Sequence, residues 1–355
     1  MFGLLALQVF GAGEIRAQNE GSIRFVESRL SHGFIIIHNE DVEAVRNSYP
    51  WGFEVDLGWQ SNSEEAWNRC NCHTRMGASL GAWDFDNQDI LGQGYVAQFF
   101  LEPEFGAQRD LSFSVRAGFG LSYKTKPFHP ETNPENLSYS TAVAFPLQLG
   151  TALRWQFSER WQAHILARYN HISNGGFRQP NKGINWPTVS VGVTWYARKP
   201  DLRAFARSDW RTDGDGLLPM SLSVFGGYQE LNNGIVLGVG GVEWLYRRQV
   251  GRLSALTGGT EWIYHGRYPY QARQEGESTH GFMGGVAVGH AFLLGNFIFG
   301  QQMGVYLLRP QGERHDLYQR YSLMYMINDH WGAGISLKAH AHVADFIDFR
   351  TAFYF

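Results

Sequence analysis

The chain has 355 residues, with 30 lysines and arginines against 33 acidic residues, for a formal net charge of −3. That balance gives no electrostatic reason for a nucleic-acid partner. No run approaches the ~20 consecutive apolar residues of a membrane helix. A mean hydropathy of −0.29 suits a soluble protein and a transmembrane β-barrel alike, because a barrel's lumen face is polar and only alternate residues meet lipid.

The opening MFGLLALQVFGAGEIRAQ reads as a secretory signal over residues 1–18, with a disordered N-terminus as the alternative. Phe2 to Ala12 is its apolar core and Ala17 a small-residue exit, although the positive start of such signals is missing. Export suits the two cysteines, Cys70 and Cys72, which form C-x-C beside His73. One such pair lacks the ligand count for zinc, which leaves a local disulfide or two free thiols.

From there on, helical periodicity is scarce and period-two stretches recur, separated by turn residues. They predict strands near 24–37, 52–60, 75–85, 93–104, 111–122, 145–157, 160–172 and 187–197. Further strands are expected near 219–229, 234–247, 252–265, 280–290, 295–308, 318–328, 331–340 and 346–355. Residues 39–48 read as a short helix. Tight turns at 157–160 (FSER), 293–296 (LLGN) and 328–331 (NDHW) alternate with long polar loops at 124–140, 174–186, 266–279 and 310–316. Short turns at one end and long loops at the other are the pattern of an outer-membrane barrel. Trp155 and Trp161 flank one tight turn like an interfacial girdle, and the chain ends FRTAFYF, with Phe349, Phe353 and Phe355 in one phase. The expected fold is therefore all-β, a transmembrane antiparallel barrel of about 14–16 strands. Whether the strands close as one barrel or as two eight-strand halves is not legible. The expected divisions are 19–198 and 199–355, joined through the charged segment RKPDLRAFARSDWRTDGDG.

The stretch YNHISNGG, Tyr169 to Gly176, carries the chemistry. In the strand before it Trp161, Ala163, Ile165, Ala167 and Tyr169 form an apolar face, and Gln162, His164, Leu166, Arg168 and Asn170 a mostly polar one. His171 and Ser173 continue the apolar, lipid-facing row. In the next strand Asn185 heads the apolar row of Val189, Val191, Val193 and Trp195. Unpaired polar groups are costly against lipid, so these three should bond one another, unless all three sit above the hydrocarbon as turn residues. The strand from the FSER turn runs toward the long-loop, extracellular side, which places the trio near the outer leaflet.

HISNGGFRQPNKGIN resembles the active-site stretch of the outer-membrane lipid A 3-O-deacylases, and also that of the outer-membrane phospholipase A family. Both families carry His-x-Ser-Asn and a third residue twelve positions after the serine, a glutamate in the deacylases and an asparagine in the phospholipases. Here it is Asn185, while the flanking RQPNKGIN looks more like the deacylases. The resemblance spans roughly residues 22–198 and implies a bacterial outer-membrane esterase. Its substrate would be lipid A of lipopolysaccharide or a phospholipid. Ser173 would be the nucleophile, His171 the base, and Asn185 the residue that orients the imidazole. Asn174, Gly175 and Gly176 would meet the oxyanion, and Arg178 and Lys182 the substrate phosphates, unless these two are ordinary solvated loop charges. The phospholipases use calcium, but residues 174–185 contain no Asp or Glu, so no metal or other cofactor is expected.

Aligning Trp161 with Trp331 places Arg168 on Lys338, His171 on Ala341 and Ser173 on Val343. The second half then reads as a diverged duplicate without the catalytic pair, or as ordinary barrel hairpins that look alike. A passive porin or structural barrel remains the competing reading; it predicts an open polar lumen.

Overall fold

The computed structural model describes residues 22–206, 218–231, 234–341 and 343–355. The expected signal at 1–18 and residues 207–216 of the charged joint lie outside the described residues. The first eight strands are β1 (Ser22–Gly33), β2 (Trp51–Ser61), β3 (His73–Asp84), β4 (Gln93–Phe105), β5 (Leu111–Lys124), β6 (Val143–Gln156), β7 (Trp161–Ser173) and β8 (Ile184–Tyr196). The next eight are β9 (Met220–Glu230), β10 (Val236–Gly251), β11 (Ser254–His265), β12 (Phe282–Leu294), β13 (Phe297–Leu308), β14 (Leu317–Met326), β15 (Trp331–His340) and β16 (Val343–Tyr354). β8 pairs back onto β1, and β16 onto β9, so the chain forms two closed antiparallel barrels rather than one.

The burial pattern inverts that of a soluble protein. On β7, Ile165 is 57 % exposed while Arg168 is 4 % exposed. Leu30, Leu57, Leu80, Phe99 and Leu149 repeat the outward apolar row on other strands. An apolar wall of this extent needs hydrocarbon around it. Trp155, Trp161 and Trp195 lie exposed at the short-turn end of the N-terminal barrel, as do Trp331 and Phe353 at that of the C-terminal barrel.

The lumens are filled with paired charge. In the N-terminal barrel Glu27 accepts from Arg154 at 2.9 Å and from Arg75, and Glu102 accepts from Arg154 at 2.5 Å and Arg116 at 3.1 Å. In the C-terminal barrel Arg320 bridges Glu261 at 2.8 Å and Asp348 at 2.5 Å, and Lys338 also pairs with Glu261. Truncating one partner of such a buried pair costs about 3–5 kcal/mol, because the other charge is stranded. These side chains occupy the space that an open pore would need.

The expected first strand, 24–37, is shorter than predicted. Pairing of β1 with β2 ends at His32 opposite Trp51, and Gly33 N–H donates to the Pro50 carbonyl. Pro50 has no N–H to continue the ladder. The chain instead follows β8, where Ile36 N–H donates to the Asn185 carbonyl at 2.8 Å. Residues 40–45 then form the expected helical turn, a 3-10 helix (Glu40–Val45) capped by Asn39. At the short-turn end, residues 62–72 hold an unexpected helix, α1 (Glu64–Cys70), capped by the Ser63 hydroxyl, followed by a Cys70–Cys72 disulfide.

Candidate active site

β7 and β8 place His171 opposite Asn185 in register. His171, Ser173 and Asn185 all lie in the outward phase, half-buried, between the buried Asn170, Ile172 and Ile184. His171 Nδ1 lies 2.6 Å from Asn185 Oδ1. Ser173 stands two residues from His171 on the same strand face.

Gly183 fixes how closely these groups can pack. Its φ of +71° favours glycine, and a methyl group there would stand 2.8 Å from His171 Cε1 and 3.5 Å from Ser173 Cβ. The loop backbone therefore runs directly over the imidazole and beside the serine. Sequence reading passed over this glycine, although NKGIN already placed it two residues before Asn185.

The residues expected to meet an oxyanion divide into two kinds. Asn174 is buried; its Nδ2 donates to the Arg178 carbonyl at 2.7 Å and to Ser140 Oγ at 3.2 Å, and its backbone N–H donates to Asn181 Oδ1 at 2.8 Å. Gly176 N–H is spent on Asn174 Oδ1 at 3.1 Å. These groups hold the turn closed, which leaves the backbone N–H of Gly175 as the donor not committed to it.

The cations also differ from the expectation of two phosphate ligands. Lys182 Nζ pairs with Asp41 at 2.7 Å, tying the loop to the 3-10 helix. Arg178 is more than half exposed and makes only a loose 3.6 Å approach to Glu230 on β9.

The C-terminal barrel closes over this loop. The Phe177 ring packs tilted against Tyr228 with centroids 5.1 Å apart, and its carbonyl accepts from Glu230 N–H at 2.9 Å. Gly175 and Gly176 have φ of +70° and +85°. Ile347 occupies the space a side chain at Gly175 would need, and the Asp345 carbonyl lies 2.7 Å from where one at Gly176 would begin. Two independent constraints thus require glycine at both positions.

A residue absent from the sequence reading completes the site. His38, on the segment that follows β1, has its Nδ1 3.1 Å from Asn185 Nδ2 and its Nε2 2.9 Å from the Lys182 carbonyl. It lies 147 residues from Asn185 in sequence, and only closure of β1 on β8 brings the two together.

The corresponding end of the C-terminal barrel is different. Ala341 has φ +53° in the turn and Val343 opens β16, so the positions aligned with His171 and Ser173 do not share a strand face. With Trp161 matched to Trp331, the cross-strand partners are Trp195 and Phe353. Among the described residues, Glu313, His315 and His340 form a trio of metal-ligand type at that mouth. Glu313 Oε2 accepts from Tyr268, and His340 Nε2 lies 2.9 Å from Tyr306 Oη. Burial alone would raise the Glu313 pKa, but hydrogen bonds from Tyr268 and His315 hold it down at about 2.

Two family models match the chain in succession. The lipid A 3-O-deacylase (PagL) model matches residues 51–194. The acyloxyacyl hydrolase C-terminal domain (PagL_C) model matches residues 219–355. Together they reach into both barrels and leave residues 1–50 and 195–218 outside the matches. The chain belongs to the lipid A 3-O-deacylase family. It is an outer-membrane β-barrel of a hydrolase family. Solved structures similar to it include the outer-membrane enzyme PagL, 15 % identical, covering 47 % of this chain and 97 % of that one, TM-score 0.36. Neisserial surface protein A is 10 % identical over 49 % of this chain and 98 % of that one, TM-score 0.34. A porin mutant of Rh. blastica is 11 % identical over 94 % of this deacylase-family chain and 100 % of that one, TM-score 0.23. No curated protein is a significant match.

Proposed function

We propose that this protein removes an ester-linked acyl chain from lipid A, with Ser173 as nucleophile, His171 as general base and Asn185 as the residue that orients the imidazole. The observation that carries the reading is the 2.6 Å contact of His171 Nδ1 with Asn185 Oδ1 on an outward, lipid-facing row. An amide oxygen accepts only, so Nδ1 carries the proton and Nε2 keeps its lone pair. Ser173 Oγ attacks the ester carbonyl as its proton passes to Nε2. The tetrahedral intermediate collapses, the acyl C–O bond breaks, and His171 returns the proton to the sugar hydroxyl that leaves. Water, deprotonated by His171, then attacks the acyl-enzyme, releasing the fatty acid and restoring Ser173.

The acyl chain of such a substrate is already in the membrane. Tyr169, Leu147 and Leu149 form the exposed wall beside and below His171, which suits a chain lying along the barrel. Arg178 is the cation left open to a phosphate. The C-terminal barrel we read as a diverged copy that keeps the barrel, has lost the trio, and braces the catalytic loop.

The test is mass spectrometry of lipid A from cells expressing wild type or Ser173→Ala. Wild type should yield lipid A lighter by one acyl chain, and Ser173→Ala none, while both give a heat-modifiable folded barrel. Deacylation by Ser173→Ala at the wild-type level refutes the nucleophile. Release of fatty acid from phospholipid but never from lipid A refutes the substrate.

A further inference from the structure

We infer that His38 is a positioning residue that sets the orientation of the Asn185 amide, and through it the tautomer of His171. The inference rests on the Ser–His–Asn reading and goes beyond it. A carboxylate at this position would accept a hydrogen bond from the imidazole N–H with either oxygen. An amide has one correct face and one wrong face. If Nδ2 faced His171, the imidazole would have to accept at Nδ1 and protonate Nε2, and Ser173 would lose its base. Something must therefore select the face.

The contacts of His38 select it. Its Nε2 faces the Lys182 carbonyl at 2.9 Å, and a carbonyl only accepts, so Nε2 carries the proton. In the neutral ring Nδ1 is then an acceptor. It stands 3.1 Å from the Asn185 amide, so it takes a hydrogen from Nδ2. Oδ1 is thereby turned to His171 at 2.6 Å. The remaining neighbour of Nδ1, the Ile36 carbonyl at 3.4 Å, is beyond the normal range of such bonds and does not compete. With the His38 ring neutral, a single proton arrangement satisfies every short contact from the Lys182 carbonyl to His171, and it leaves Nε2 of His171 basic. The loop also anchors the relay. The Lys182 carbonyl that fixes His38 belongs to the residue whose Nζ is held by Asp41, in the first turn of the 3-10 helix.

The experiment is a double-mutant cycle on purified protein with lipid A in detergent micelles. His38→Leu should lower kcat at least about tenfold with KM unchanged, because the wrong tautomer removes base strength rather than binding. His38→Asn, which retains an acceptor toward Asn185, should recover most of the lost kcat. In the Asn185→Glu background, where both oxygens accept, His38→Leu should cost less than about twofold. Unchanged kcat in His38→Leu overturns the proposal. So does an equal loss in both backgrounds, which would mark His38 as merely structural. Should His38→Leu fail to show heat-modifiability, His38→Asn decides: a loss of kcat as large as that of Asn185→Ala overturns the proposal, and wild-type turnover supports it. Ser173→Ala is run in parallel. If it stays active, the Ser–His–Asn reading itself has failed; if it is dead and His38→Leu has full turnover, only the relay has.

Discussion

The two barrels share an architecture, and the difference that bears on the candidate site lies in the hairpin between the seventh and eighth strand of each. In the N-terminal barrel β7 reaches Ser173 before residues 174–183 cross to β8. In the C-terminal barrel β15 stops at His340, and only residues 341–342 precede β16. Both lumens are locked by buried Arg, Lys and carboxylate pairs. Both outer walls are apolar. Barrel stability thus does not depend on the trio, and the candidate chemistry sits where one strand runs on and its loop folds back over its own outer face. The contrast separates scaffold from site within a single chain.

The severest way to break this comparison is to make the two hairpins alike. Replacing residues 174–183 with the two-residue connection of the C-terminal barrel should leave no detectable hydrolysis, while gel mobility before and after heating still reports a folded barrel. Residual turnover near the wild-type level would show that the loop is dispensable. A smaller change tests how the loop meets the imidazole. Gly183→Val should lower kcat about 100-fold, as misplacement of a catalytic group by roughly an ångström can do. An unaffected enzyme would mean that the imidazole is not confined there.

Asn185 comes next. Asn185→Ala should reduce turnover by at least about tenfold, yet by less than Ser173→Ala, since nucleophile and base remain. Asn185→Glu should stay within about threefold of wild type, because a carboxylate can accept the same imidazole N–H. Equal tolerance of Ala and Glu in steady-state assays would make Asn185 an ordinary turn residue. The smallest expected effect is none at all: strong calcium chelation should leave initial rates unchanged, because residues 174–185 offer no carboxylate to a hard cation. Inactivation by chelator with recovery on added calcium would point to a metal-assisted oxyanion instead.

The sequence by itself determined much of this protein. Period-two alternation located the strands, and the phase of Trp161 to Tyr169 carried His171 and Ser173 onto the outward row, where the structure has them. Loop lengths gave the two ends, and His-x-Ser-Asn with Asn185 twelve residues on pointed to the family. These features are local, because strand period and motif spacing are written in consecutive residues. What tertiary structure decided is non-local. Alternation reads the same whether β8 pairs with β1 or continues into β9, so closure into two barrels was hidden. His38 could not be placed beside Asn185 until that closure was known. Nor could Ile347, Tyr228 and Glu230 be placed against the loop of residues 174–178, since their contacts depend on how one closed wall meets another. The donors of Asn174 and Gly176 looked available in sequence but are consumed within the turn, because a buried loop must satisfy its own polar groups before it can offer any to a substrate.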